Sequence, residues 1–139
     1  TRVIKFTQLI AASTEITILD VGGKEVTVWP LIIGGTQSLA EKYAGVMRIL
    51  SYKNDGTIDS NELCVVRKSD ITIQWPSFTE VGNSSAKWIA LTNDVDGKYI
   101  METTQPLIFE NGVKIILRNT STTNAYTMVA SGAYAVKRA

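Results

Sequence analysis

The run Asp55-Gly56-Thr57-Ile58-Asp59-Ser60-Asn61-Glu62 has the acidic spacing of the second half of a calcium-binding EF-hand loop. With Gly56 as the loop glycine, Asp55, Asp59 and Glu62 take the fifth, ninth and twelfth positions, leaving Ser51 first and Lys53 third. An ammonium cannot coordinate calcium, and serine in place of the first carboxylate removes the anchor of the site. The stretch is therefore expected to be a polar loop between strands, turning at Asn54-Asp55-Gly56. A weak loop site for calcium from Asp55, Asp59 and Glu62 is the metal-binding alternative.

Other chemistries are narrowed by residue type. The chain has no histidine and one cysteine, Cys64, which excludes imidazole-based triads, His-ligated metal sites and an intrachain disulfide. Cys64 lies between Leu63 and Val65 and is expected to be a buried apolar thiol. Glycosidase work needs two carboxyl groups about 5–9.5 Å apart across a groove. Glu15, Asp20, Glu25, Asp70, Glu80, Glu102 and Glu110 offer no pair singled out by spacing, so no enzyme activity is expected. Gly34-Gly35-Thr36 could cradle an anion, but the lysine of a P-loop is missing. Asn83-Ser84-Ser85 and Asn119-Thr120-Ser121 match the glycosylation pattern and are read as turns. Cofactors are expected to be none. Trp75-Pro76-Ser77-Phe78 and Trp29-Pro30 place aromatics where proline interrupts a strand ladder, so each can end a core or present a contact.

The elements that must position these residues are read from composition and alternation. Val, Ile and Thr make up 12, 15 and 16 of the 139 residues, an excess of β-branched side chains that favours sheet. Glu15–Asp20 and Glu25–Trp29 alternate around Gly22-Gly23, and Pro106–Glu110 and Val113–Arg118 flank Asn111-Gly112; both are predicted hairpins. A third turn is expected at Asp94–Gly97, between Lys87–Thr92 and Lys98–Met101. Further strands are predicted over Val46–Tyr52, Leu63–Arg67, Asp70–Trp75 and Ala125–Val136, the last with a bulge at Gly132. Thr36–Ala44 is expected to be the one short helix. About ten short strands with turns every 8–12 residues or so predict an all-β fold, an antiparallel β-sandwich of jelly-roll type. One domain spanning 1–139 is expected, with residues 1–10 either its first strand or an interacting arm.

Charge and hydropathy bound the partners. Lys plus Arg number 14 and Asp plus Glu 13, a net charge of +1, so no basic stripe marks a nucleic-acid or lipid partner. No apolar run reaches the roughly 20 residues of a membrane-spanning helix, and Thr1–Lys5 lacks the apolar core of a signal peptide.

The last third of the chain carries a resemblance. Gln105-Pro106-Leu107-Ile108-Phe109, the Asn111-Gly112 turn, Val113–Arg118, then Asn119–Tyr126 and Ser131-Gly132-Ala133-Tyr134 follow one another over roughly 35 residues. This order resembles the closing strands of small β-sandwich virion proteins of tailed phages, of the head decoration (cement) or fibre-head type. The resemblance implies a non-enzymatic structural protein of the virion, made in the host cytoplasm. It would stabilise a shell by contact with capsid proteins and with its own copies, a trimer being the natural symmetric form. Val3, Ile4, Phe6 and Leu9 are the candidate arm contacts, and Trp75 and Phe78 the candidate anchor. A carbohydrate- or receptor-binding module using Trp29, Trp75 or Trp88 on a glycan is the alternative.

Overall fold

Where branched apolar side chains alternate with polar ones, one face of a strand must be covered by a second layer. The computed structural model describes residues 2–36, 44–67, 73–74, 88–90, 98–103 and 105–138. Among these it places eleven strands: β1 (Arg2–Ile10), β2 (Thr14–Gly22), β3 (Val26–Thr36), β4 (Gly45–Tyr52), β5 (Ile58–Arg67), β6 (Ile73–Gln74), β7 (Trp88–Ala90), β8 (Lys98–Thr103), β9 (Leu107–Phe109), β10 (Gly112–Asn119) and β11 (Tyr126–Val136). Sheet A runs β1-β11-β3-β8-β7, with β9 pairing the other end of β3; sheet B runs β2-β10-β4-β5-β6. Every pairing is antiparallel.

The winding follows from who pairs with whom. β1 pairs β11, β2 pairs β10, β3 pairs β8 and β4 pairs β5. The chain is thus one long hairpin with β4 and β5 at its tip, rolled so that the pairs β1-β11 and β3-β8 fall in sheet A and the pairs β2-β10 and β4-β5 in sheet B. That is a jelly roll. Ile4, Ile10, Val26, Val28, Leu31, Ile33, Met128 and Ala130 of sheet A meet Leu19, Met47, Ile49, Val113, Ile115 and Leu117 of sheet B in a single core. Arg2–Ile10 form the first strand of that sandwich rather than a detached arm.

Two predicted hairpins are instead corners. β2 lies in sheet B and β3 in sheet A, while β9 lies in sheet A and β10 in sheet B, so both glycine turns carry the chain across the sandwich. The turn chemistry itself is as expected, with φ of 78° at Gly23 and 110° at Gly112. The two corners support each other: the Gly23 N–H donates to the Asn111 carbonyl at 2.9 Å. A Cβ on Gly112 would lie 2.1 Å from the Val21 carbonyl oxygen.

The Lys53–Thr57 turn, by contrast, closes a true hairpin between β4 and β5. Trp29-Pro30, expected to end a strand, lies inside β3 with a cis peptide bond. Proline is tolerated there because Trp29 and Pro30 together oppose the single residue Ala133: the bulge expected at Gly132 in the last strand has its extra residue in β3 instead, across from it. A Cβ on Gly132 would sit 2.2 Å from the Pro30 carbonyl oxygen, so the bulge needs glycine opposite it. Of the predicted helix, Thr36 is the last residue of β3, and residues 37–43 lie outside the described residues; no helix occurs among those described. The turn expected at 94–97 also lies outside them.

Candidate contact surface

The expected acidic loop binds its own backbone. The Asp55 Oδ1 accepts from the Thr57 N–H at 3.0 Å and the Thr57 hydroxyl at 2.6 Å, and Gly56, at φ 88°, donates to the Lys53 carbonyl. The Thr57 hydroxyl and amide hold the Asp55 carboxyl below the usual carboxylate range. Strands, not helices, flank this turn, so it is not an EF-hand. Among the described residues, no cluster of three or more Cys, Asp or Glu side chains is placed to hold a metal ion.

On the outer face of sheet B, charged side chains of β2, β4 and β10 meet one another. Glu15 Oε2 accepts from Arg48 Nη1 at 2.9 Å and lies 3.9 Å from Arg118 Nη1. Lys114 stands opposite Asp20 in the ladder, and the Tyr52 hydroxyl donates to Asp20 Oδ1 across the same strand. That hydrogen bond to a carboxylate, more than burial, pushes the Tyr52 phenol upward in pKa. The register explains the arrangement: Glu15, Arg118 and the flanking Val46 share one row across β2, β10 and β4.

Sheet A presents a different outer face. Among the described residues, the four exposed large apolar ones, Val3 at 76%, Leu9 at 61%, Trp29 at 43% and Ile108 at 63%, all belong to its strands. Half-buried Ile32 of β3 and Val129 of β11 stand between them. Because side chains alternate in a strand, the candidate arm residues divide. Val3 and Leu9 point outward. Ile4 is buried in the core and Phe6 packs against it, so these two hold the sandwich and are not available to a partner. Trp75 and Phe78 lie outside the described residues, as do Asp70, Glu80 and Asn83. Trp88 is in β7.

Register links residues that sequence distance conceals. Lys5, Ser131, Ile32 and Glu102 form one row across β1, β11, β3 and β8. The next row on this face is Thr7, Val129, Gly34 and Ile100. Neither row could be assembled without knowing that β11 inserts between β1 and β3. Ile108 was available to sequence reasoning as the odd apolar residue between Leu107 and Phe109, but its face depends on β9 pairing β3.

Asn119, the second glycosylation match, is fully buried. Its Nδ2 donates to the Ile10 and Asn124 carbonyls at 3.0 and 2.9 Å, and its Oδ1 accepts from the Ser121 N–H at 2.9 Å. It is a structural clamp, and its amide nitrogen has no access to a glycosyl donor. No protein-family model matches the chain, and no curated protein matches it either.

Proposed function

We propose that this chain is a non-enzymatic structural protein of a virion, a capsid decoration protein that works by contact through the outer face of sheet A. The asymmetry of the two faces carries the reading. Among the described residues, Glu15 of sheet B pairs with Arg48 and Arg118 and Asp20 accepts from Tyr52, whereas sheet A leaves Val3, Leu9, Trp29 and Ile108 in water on one side of the sandwich. Val3, Trp29 and Ile108 fall towards one end of that face and Leu9 at the other, and exposed apolar residues gathered on one face support a contact surface. Jelly rolls occur in viral capsid proteins, and also in lectins, so the fold is compatible with the reading by analogy.

The test is cosedimentation of the purified chain with shells of the major capsid protein encoded in the same genome. The chain is expected to bind, and a Val3→Glu, Leu9→Glu variant, changed only at outward positions, is expected to lose binding while keeping its β circular dichroism. Equal binding by the variant, or a genome that encodes no shell protein, would overturn the reading.

Exposed Trp29 favours the carbohydrate alternative, since an indole ring can stack on a sugar. A glycan array read with wild type against Trp29→Ala separates the two: sugar binding that the substitution removes would establish the lectin reading.

A further inference from the structure

We propose that the outer face of sheet A pairs with the same face of a second copy of this chain, about a two-fold axis parallel to the strands. The proposal rests on the contact reading above: in free chains a second copy covers this face, and a shell that binds there displaces it.

Charge is the first reason. The row Lys5–Ser131–Ile32–Glu102 begins with a cation and ends with an anion. At about 4.8 Å per strand the two lie roughly 14 Å apart, too far to neutralise each other. Among the described residues neither has an ion-pair partner within the chain. A two-fold axis midway between β11 and β3 places β1 of one copy over β8 of the other, and β11 over β3. Lys5 then faces Glu102 of the second copy, and the symmetry makes this contact twice. A single row is its own complement. A three-fold ring uses two different patches and does not exploit that property.

Shape is the second reason. In the neighbouring row the same operation sets half-buried Val129 over Gly34, a buried residue with no side chain. Ile32 falls over the small Ser131. Ile108 continues the lane of β8 and so comes over the beginning of β1, where Val3 is exposed, while Trp29 falls over Ala133. Packed sheets lie about 30° from alignment, which shifts the ends of the Lys5 row by roughly one residue spacing. A lysine side chain spans such an offset.

Area is the third. Four lanes about 4.8 Å apart and about nine residues long give a footprint of roughly 600 Å² per copy. The total of about 1,200 Å² lies at the lower edge of specific interfaces.

The test is sedimentation equilibrium of the full chain with reciprocal charge changes. Wild type is expected to form a dimer of twice 15.2 kDa. Lys5→Glu creates two carboxylate–carboxylate contacts in the pair, and Glu102→Lys creates two ammonium–ammonium contacts. Each is expected to weaken dimerisation about tenfold or more. The double exchange, Lys5→Glu with Glu102→Lys, restores opposite charges and is expected to recover the wild-type affinity, which general damage to the fold cannot do.

A monomer at ~100 µM, a trimer, or a dimer indifferent to these changes would overturn the proposal. Shell cosedimentation distinguishes its failure from that of the reading beneath it. A wild-type monomer that binds shells removes only the self-pairing, and a charge-responsive dimer that binds none removes only the virion role.

Discussion

Asn119 ties the turn that follows it to the far end of β1, a strand 109 residues away in sequence. Its amide joins the end of β1, the turn after β10 and the approach to β11, at a position with no exposed surface. Replacing it with alanine strands the Ile10 carbonyl and the Ser121 N–H in the interior and frees the part-buried Asn124 carbonyl. Each unsatisfied buried group costs about 1–3 kcal/mol, and neighbours relax to recover part of it. Asn119→Ala is expected to lose about 3 kcal/mol, seen as a lower urea midpoint with an unchanged slope. A loss below about 1 kcal/mol would mean that water replaces the side chain. In sequence the same asparagine is only a glycosylation triplet, because a triplet carries no information on burial. The parity of β1 was more readable. Once Ile4 is inside, alternation sends Val3, Lys5, Thr7 and Leu9 outward, and the grouping of Val3, Ile4, Phe6 and Leu9 as one patch fails on that parity alone.

Elements were readable where their stabilising contacts are local. The β4–β5 turn encodes itself in Asp55, Gly56 and Thr57, whose bonds close within five residues. The turn lies where the sequence places it, but β5 begins at Ile58 and not at Leu63, so the expected polar loop is a tight hairpin. Gly22-Gly23 and Asn111-Gly112 carry equally strong turn signals, yet both are corners. A positive φ reverses the chain and does not say which sheet the next strand joins. That choice is made by the whole roll, through the core residues on both layers. The corners therefore differ in what they tolerate. Gly23 has open space where a Cβ would go, so Gly23→Ala is expected to cost only the backbone term of about 1–2 kcal/mol. Gly112 has φ of 110° and the Val21 carbonyl in the way. Gly112→Ala adds steric clash and is expected to cost about 3 kcal/mol or more. Thermal denaturation of the two variants side by side checks the order, and equal losses would contradict the packing of the two corners against each other.

The roll as a whole has consequences for how the molecule forms. β1, β2, β3 and β4 fall alternately in sheets A and B, so neither sheet acquires a covered face before the other exists. One cooperative transition is expected for that reason. The pairings grow less local from the tip outward, from Tyr52↔Ile58 in β4–β5 to Arg2↔Tyr134 in β1–β11. Loop-closure entropy therefore favours the tip first and the β1–β11 edge last, and folding on the millisecond-to-second scale or slower is expected for so non-local a fold. Two conservative substitutions in the same core distinguish the stages. Ile49→Val lies in β4 near the tip and Ile4→Val lies in β1, both buried and each expected to cost about 1 kcal/mol. If the roll closes from its tip, Ile49→Val slows folding, whereas Ile4→Val leaves the folding rate nearly unchanged and speeds unfolding. Stopped-flow fluorescence measures both arms. A folding rate more sensitive to Ile4 than to Ile49 would mean that the distant strands meet before the tip hairpin, with entropy overridden by early burial of the β1 and β11 core.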